Sequence, residues 1–229
     1  MTDAPGSGHA LREIVFDPDV KIGKFHAFDF FGDGSFYLLD VPGHATGPMS
    51  GLARTAPTTF VLLGADTFHL AGSLRPSQYT PLPETLDSLE AGLDEFFPAP
   101  CPCSIFGDCH PSPESARTNP YYTASRAPGS AYVDPETADR SIQELIEFDA
   151  GEDVLVCLAH DPGLFEVLPL FNANPESNIN DWQEKGYKEK TRWRFLNELP
   201  RDGKPGREPV ISGLWRDGRE LSVQEAMAK

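Results

Sequence analysis

Apolar residues along this chain come in short runs that stop abruptly at turns rich in glycine, proline or aspartate. Lys24–Phe28, Ser35–Val41, Thr58–Leu63 and Val154–Leu158 are the clearest. Their brevity and their content of Val, Leu, Phe and Thr predict strands. Thr58–Leu63 and Val154–Leu158 are almost continuously apolar, as expected of strands covered on both faces. Ile14–Phe16 is a further short strand candidate, separated from Lys24–Phe28 by an Asp17-Pro18-Asp19 turn. Gly32-Asp33-Gly34 is a tight-turn signal, so the segments on either side of it should form a hairpin.

Two stretches carry helical spacing. Leu86, Leu89, Leu93 and Phe96-Phe97 recur at helical intervals behind Pro83-Glu84, which predicts a helix over Leu82–Phe97. Asp134-Pro135-Glu136 has the form of a helix start, with proline at the first helical position, and Gly151 marks the stop. A mixed polar and aromatic helix is expected within Asn180–Leu199, where Trp182, Trp193 and Phe195 read as packing residues. Residues 1–12 look like a loose lead-in, 98–120 a Pro/Cys-rich loop and 200–229 a polar tail. No repeat or break in composition divides residues 1–229, so a single domain of the α/β class, with helices layered on a sheet, is expected.

Composition narrows the classes of partner. The chain has 229 residues, a net charge of -16 and 24% charged residues, so its surface repels nucleic acid and anionic membrane alike. No apolar run approaches the roughly 20 residues that span a bilayer. Met1–Arg12 lacks an apolar signal core, which makes the cytoplasm the expected location. Cys101, Cys103 and Cys109 cluster with His110, but the spacing is not that of a structural zinc site, and reduced thiols in a proline-rich loop are expected instead.

The candidate chemistry sits where strands end. His44 follows Val41-Pro42-Gly43, Asp66 follows Gly64-Ala65, and His160 follows Leu158-Ala159. Two imidazoles and a carboxylate delivered beyond strand ends suit a divalent cation such as zinc. The structural alternatives are a turn histidine at 44, a strand-end cap at 66 and a plain turn at 160. His69, three residues beyond Asp66, reads either as a supporting or substitute ligand or as an ordinary surface histidine. Asp161 is expected to cap the turn at 160 through its carboxylate. Tyr121-Tyr122 and the preceding loop are candidates for a substrate wall. No His-x-His pair occurs anywhere in the chain.

The stretch Phe31–Gly47, with its strand closing in Pro-Gly-His-Ala-Thr-Gly, resembles the metallo-beta-lactamase superfamily. Phe60–Asp66, ending Gly-Ala-Asp, and Leu155–Asp161, containing Ala-His-Asp, are similar to the next two ligand strands of lactonase-like members. The three markers occur in the family's order. The resemblance implies that His44 binds one zinc and His160 another, with Asp66 bridging them in a catalytic role; a single ion shared by all three is the other arrangement. It further implies an αββα sandwich, N-terminally incomplete, because the family's His-x-His-x-Asp-His motif is missing before Phe31.

The activity implied is hydrolysis of a lactone, ester or thioester in a small-molecule carbonyl substrate, at an incomplete zinc site. The alternative is a non-catalytic remnant acting as an interaction module, or a half-domain completed by another chain. An incomplete sandwich should leave an apolar sheet face open to a second copy or to such a partner.

Overall fold

The computed structural model describes residues 13–45, 47–200 and 206–207, together with four two-residue strands nearer the termini. Those four form two small antiparallel ladders, β1 (Thr2–Asp3) with β2 (Ala10–Leu11) and β11 (Trp215–Arg216) with β12 (Arg219–Glu220). The rest of the expected lead-in and nearly all of the expected polar tail lie outside the described residues.

Mixed α and β structure is built around a six-stranded sheet. Its strands are β3 (Lys21–Ile22), β4 (Phe25–Asp29), β5 (Phe36–Asp40), β6 (Met49–Ala56), β7 (Thr59–Leu63) and β10 (Val154–Cys157), in the spatial order β10-β7-β6-β5-β4-β3. Neighbours from β3 to β7 are antiparallel, and β10 adds to β7 in parallel. Turn chemistry explains the first hairpins. Gly23 (φ 58°) turns β3 into β4. Between β4 and β5, the Asp29 carboxylate accepts from the amides of Gly32 and Gly34 at 3.0 and 2.9 Å, and both glycines have positive φ.

One face of the sheet meets α1 (Pro135–Ala150). Phe25, Ala27, Leu39, Leu52, Leu62, Val154 and Val156 pack there against Ile142, Leu145, Ile146 and Phe148. Helix α1 begins as its sequence requires. Asp134 accepts from the Thr137 amide at 3.0 Å, Pro135 takes the first position, and Gly151 closes the end. The opposite face is covered at the β7–β10 end by Trp182, packed on Val61 and Leu155. A separate apolar cluster, with Leu82, Leu93, Phe97, Phe106, Tyr121, Trp193 and Phe195, lies away from the sheet.

Several local expectations are corrected. Ile14–Phe16 forms no strand; β4 pairs instead with Lys21–Ile22, across a turn too tight to include 14–16. Leu82–Phe97 is not a helix. Thr85–Leu86 (β8) pairs with Cys101–Pro102 (β9), the Asp87 carboxylate accepts from the Leu89 and Glu90 amides, and Gly92 adopts φ 63°. Leu82, Leu86, Leu93 and Phe97 are buried while Leu89 is 85% exposed, so the apolar spacing serves turns folded over the second cluster. The 98–120 loop holds β9 and two 3-10 turns, Cys103–Cys109 and Pro113–Ser115. Helix α2 (Pro162–Val167) was not expected, and Asn180–Leu199 yields only α3 (Tyr187–Arg192) and a 3-10 turn at Arg194–Glu198. Among the described residues no helix is long and apolar enough to cross a membrane.

Candidate metal centre

Strand register sets the site. In the parallel pair, Leu63 of β7 lies opposite Cys157 of β10, and the chain leaves both strands in the same direction. Asp66 and His160 each follow their strand's last residue by three positions and so emerge side by side. The exits are tied together. The Gly64 amide donates to the Cys157 carbonyl at 2.8 Å, and the Ala159 amide donates to the Ala65 carbonyl at 3.1 Å. Ala65 holds a left-handed backbone (φ 46°), uncommon for a residue with a side chain, and it turns the chain sharply into Asp66. Thr67 fixes the turn by donating its hydroxyl to the Gly64 carbonyl at 2.7 Å. Crevices beyond the carboxyl ends of parallel strands are where α/β folds place their ligands.

His44 arrives at the same rim after β5, which runs in the direction of β7 and is separated from it by β6. Gly43 has φ 128°, and a Cβ there would overlap the backbone N and Cα of Ala138 at the start of α1. Only glycine lets the turn press against that helix. The turn is held by the Val133 and Asp134 amides, which donate to the carbonyls of His44 and Gly43 at 3.1 and 3.0 Å, and by the Ser141 hydroxyl on the Pro42 carbonyl at 2.7 Å.

The side chains form a continuous group. Asp66, His69 and His160 bring one donor atom each to within 4.8 Å of one another. His69 stands between the other two histidines, with ring centroids 5.2 Å from His44 and 5.5 Å from His160. Tyr132 packs edge-on against His44 and His69, and its hydroxyl lies 3.3 Å from His69 Nδ1. Burial pushes the His69 pKa down, the neighbouring His44 reinforces this, and Asp66 opposes it. A neutral imidazole, able to ligate, is the result. Burial pushes the Tyr132 phenol up to about 12, so it remains protonated.

His69 therefore joins Asp66 and His160 directly, whereas His44 reaches the group through His69. Its spacing to Asp66, one turn beyond a strand end, was the only signal in the sequence. Nothing in the sequence pointed to Tyr132. Asp161 accepts from the Gly163 amide at 2.9 Å and caps α2, and burial raises its pKa. Tyr121 is buried in the second cluster; with Tyr122 it lines a cavity of about 680 Å³ that includes none of the three donors. Cys101 and Cys103 are buried and unbridged.

The donors fit a metal ion on their own geometry. His160 Nε2 lies 2.9 Å from Asp66 Oδ1, an ion-pair contact when the imidazole is protonated, and no hydrogen bond satisfies the buried Oδ1. His44 Nδ1 is likewise buried and unpartnered. Unpaired polar atoms beneath a surface are costly unless something satisfies them. Donors about 2 Å from a tetrahedral zinc stand about 3.3 Å apart, so small side-chain rotations would close Asp66, His69 and His160 around one ion with a position left open.

Comparison with known proteins agrees with this chemistry. The chain is 41% identical over 203 residues to metallo-hydrolase mfmC of Annulohypoxylon moriforme, covering 87% of this chain and 49% of that protein. It is 41% identical over 205 residues to gamma-lactamase FDB1 of Fusarium pseudograminearum, covering 87% and 47%. It is 46% identical over 150 residues to gamma-lactamase MBL2 of Gibberella moniliformis, covering 64% and 60%. This chain is a homologue of metallo-beta-lactamase-type hydrolases, and the resemblance read from its strand ends is borne out. It spans about half the length of the first two of these relatives. No protein-family model and no solved structure matches it.

Proposed function

We propose that the strand ends carrying His44, Asp66, His69 and His160 are the metal-binding part of a hydrolase that opens a small-molecule carbonyl compound. The observation that carries this reading is the convergence of one donor atom each from Asp66, His69 and His160 to within 4.8 Å, with His160 Nε2 at 2.9 Å from Asp66 Oδ1. Asp66, His69 and His160 would hold a zinc ion, with His44 adjacent for a second ion or a fourth contact. Zinc supplies, when bound, Lewis acidity toward a carbonyl oxygen and acidifies water near neutral pH. Asp66 would contribute the anionic donor beside the imidazoles of His69 and His160 and would hold a proton from the attacking water. The substrate class is a lactone, ester or thioester, and relatives named gamma-lactamase add the cyclic amide to that class.

Elemental analysis of the full chain after expression with zinc tests the reading. Close to one equivalent, lost in Asp66→Ala, supports it; content at background would remove it.

A second reading has its own observation. Leu63 lies across from Gly51, Gly51 across from Leu38, and Leu38 across from Phe28, so these residues share the sheet face opposite α1. Leu63 and Met49 on that face are 46% and 43% exposed, and Phe31 at its edge is 68% exposed. Such a face suits one layer of an αββα sandwich completed by further polypeptide. Sedimentation velocity should show self-association of the full chain that Leu63→Glu abolishes. A concentration-independent monomer would remove a second copy as the partner.

A further inference from the structure

Tyr132 occupies an unusual position for a loop residue. Its backbone is clamped on both sides: its own amide donates to Ser130 Oγ at 3.2 Å, and the next amide, of Val133, donates to the His44 carbonyl at 3.1 Å. The phenol is consequently delivered to the strand ends by the same contacts that build the His44 turn. Its ring meets the His44 ring at a centroid distance of 5.5 Å and an angle of 88°, and the His69 ring at 5.5 Å and 73°. Its hydroxyl lies 3.3 Å from His69 Nδ1.

We propose that Tyr132 is a positioning residue for the metal centre, its hydroxyl oxygen accepting a hydrogen bond from His69 Nδ1–H and thereby fixing the tautomer that leaves the Nε2 lone pair free for the site of Asp66 and His160. An imidazole has one donor and one acceptor nitrogen when neutral, so whatever accepts at Nδ1 decides which nitrogen can ligate. Partners of this kind hold the ring orientation as well as the proton. The opposite assignment, with the phenol donating to Nδ1, would place the proton on Nε2 and take His69 out of the ligand set.

The inference rests on the metal reading above, and the test separates the two. Zinc affinity of the full chain would be measured by competition with a chromophoric chelator, for the unsubstituted protein and for Tyr132→Phe, His69→Ala and the double variant. Tyr132→Phe keeps the ring and removes only the hydroxyl, and the melting temperature of the chelator-treated protein should stay unchanged. Zinc affinity should fall by about 10- to 100-fold. In the His69→Ala background the same substitution should have almost no further effect, because the two residues act as one unit. Unchanged affinity in Tyr132→Phe, or an equal loss with and without His69, would overturn the role assigned to Tyr132 while leaving the metal reading intact. Failure of the unsubstituted chain to take up zinc would overturn both.

Discussion

Asp66 and His160 meet because they stand equally far beyond the ends of two adjacent parallel strands. Leu63 and Cys157 are register partners, each functional residue follows three positions later, and Asp66 Oδ1 comes to 2.9 Å from His160 Nε2. The parallel register does the positioning.

Removal of donors should therefore be graded by their place in the group. Asp66→Ala and His160→Ala should each weaken zinc binding at least as much as loss of a supporting residue, which costs about 10- to 100-fold. His69→Ala should do the same. His44→Ala should have a smaller effect on a first equivalent of metal, since His44 contacts the group through His69. Zinc titration of the four variants checks the order, and an undiminished affinity in His69→Ala would return His44 to the ligand set.

Gly43→Ala should be severe. The new Cβ would collide with the backbone of Ala138, and the φ of 128° is one that side-chain-bearing residues rarely adopt. A loss of about 2–3 kcal/mol is expected from strain plus displacement of the α1 start. Denaturant midpoints measure it; a change within the range of surface substitutions would show that the turn can move away from the helix.

Arg75 and Asp149 form an ion pair at 2.5 Å with side chains 4% and 3% exposed, and Arg75 also donates to the Arg192 carbonyl at 3.2 Å. Asp149→Ala leaves a buried guanidinium unpaired and should cost about 3–5 kcal/mol, whereas Arg75→Met with Asp149→Leu should cost much less. Burial acts to raise the Asp149 pKa, but Arg75 overrides it and the pKa is lowered. A carboxylate with a depressed folded pKa stabilises above its unfolded value and loses that contribution as pH falls through the folded one. The Arg75→Met, Asp149→Leu variant lacks this carboxylate, so its stability should fall less steeply than the parent's as pH drops through the acid range; equal slopes, measured by denaturant unfolding followed by circular dichroism, would show that the pair carries none of the acid dependence.

Glu198 should act in the opposite sense. Burial raises its pKa from 4.5 to about 7, with Asp161 and Glu166 adding to the rise and Arg207 opposing it. The folded state holds this proton more tightly than the unfolded state, so the contribution is full below 4.5 and is lost as pH rises through about 7. Glu198→Gln should flatten the dependence of stability on pH across that interval. An unchanged slope would place the carboxyl in solvent.

The sequence by itself determined strands β4, β5, β7 and β10, the α1 boundaries and the strand-end placement of His44, Asp66 and His160. Those features are local: apolar runs closed by Gly-containing turns, an Asp-Pro helix start, a stop at Gly151. Strand β6 escaped notice because Met49–Ala56 is poor in β-branched residues and is held by ladders on both sides. The apparent helix over Leu82–Phe97 failed because Asp87 and Gly92 offer the backbone turns that the second cluster rewards. Only the tertiary structure decided that His69 joins Asp66 and His160, and that Tyr132 meets His69 across an interval of more than sixty positions. Contacts of that kind depend on how β7, β10 and the loop before α1 are brought together, and no periodicity along a chain encodes the distance between side chains that far apart.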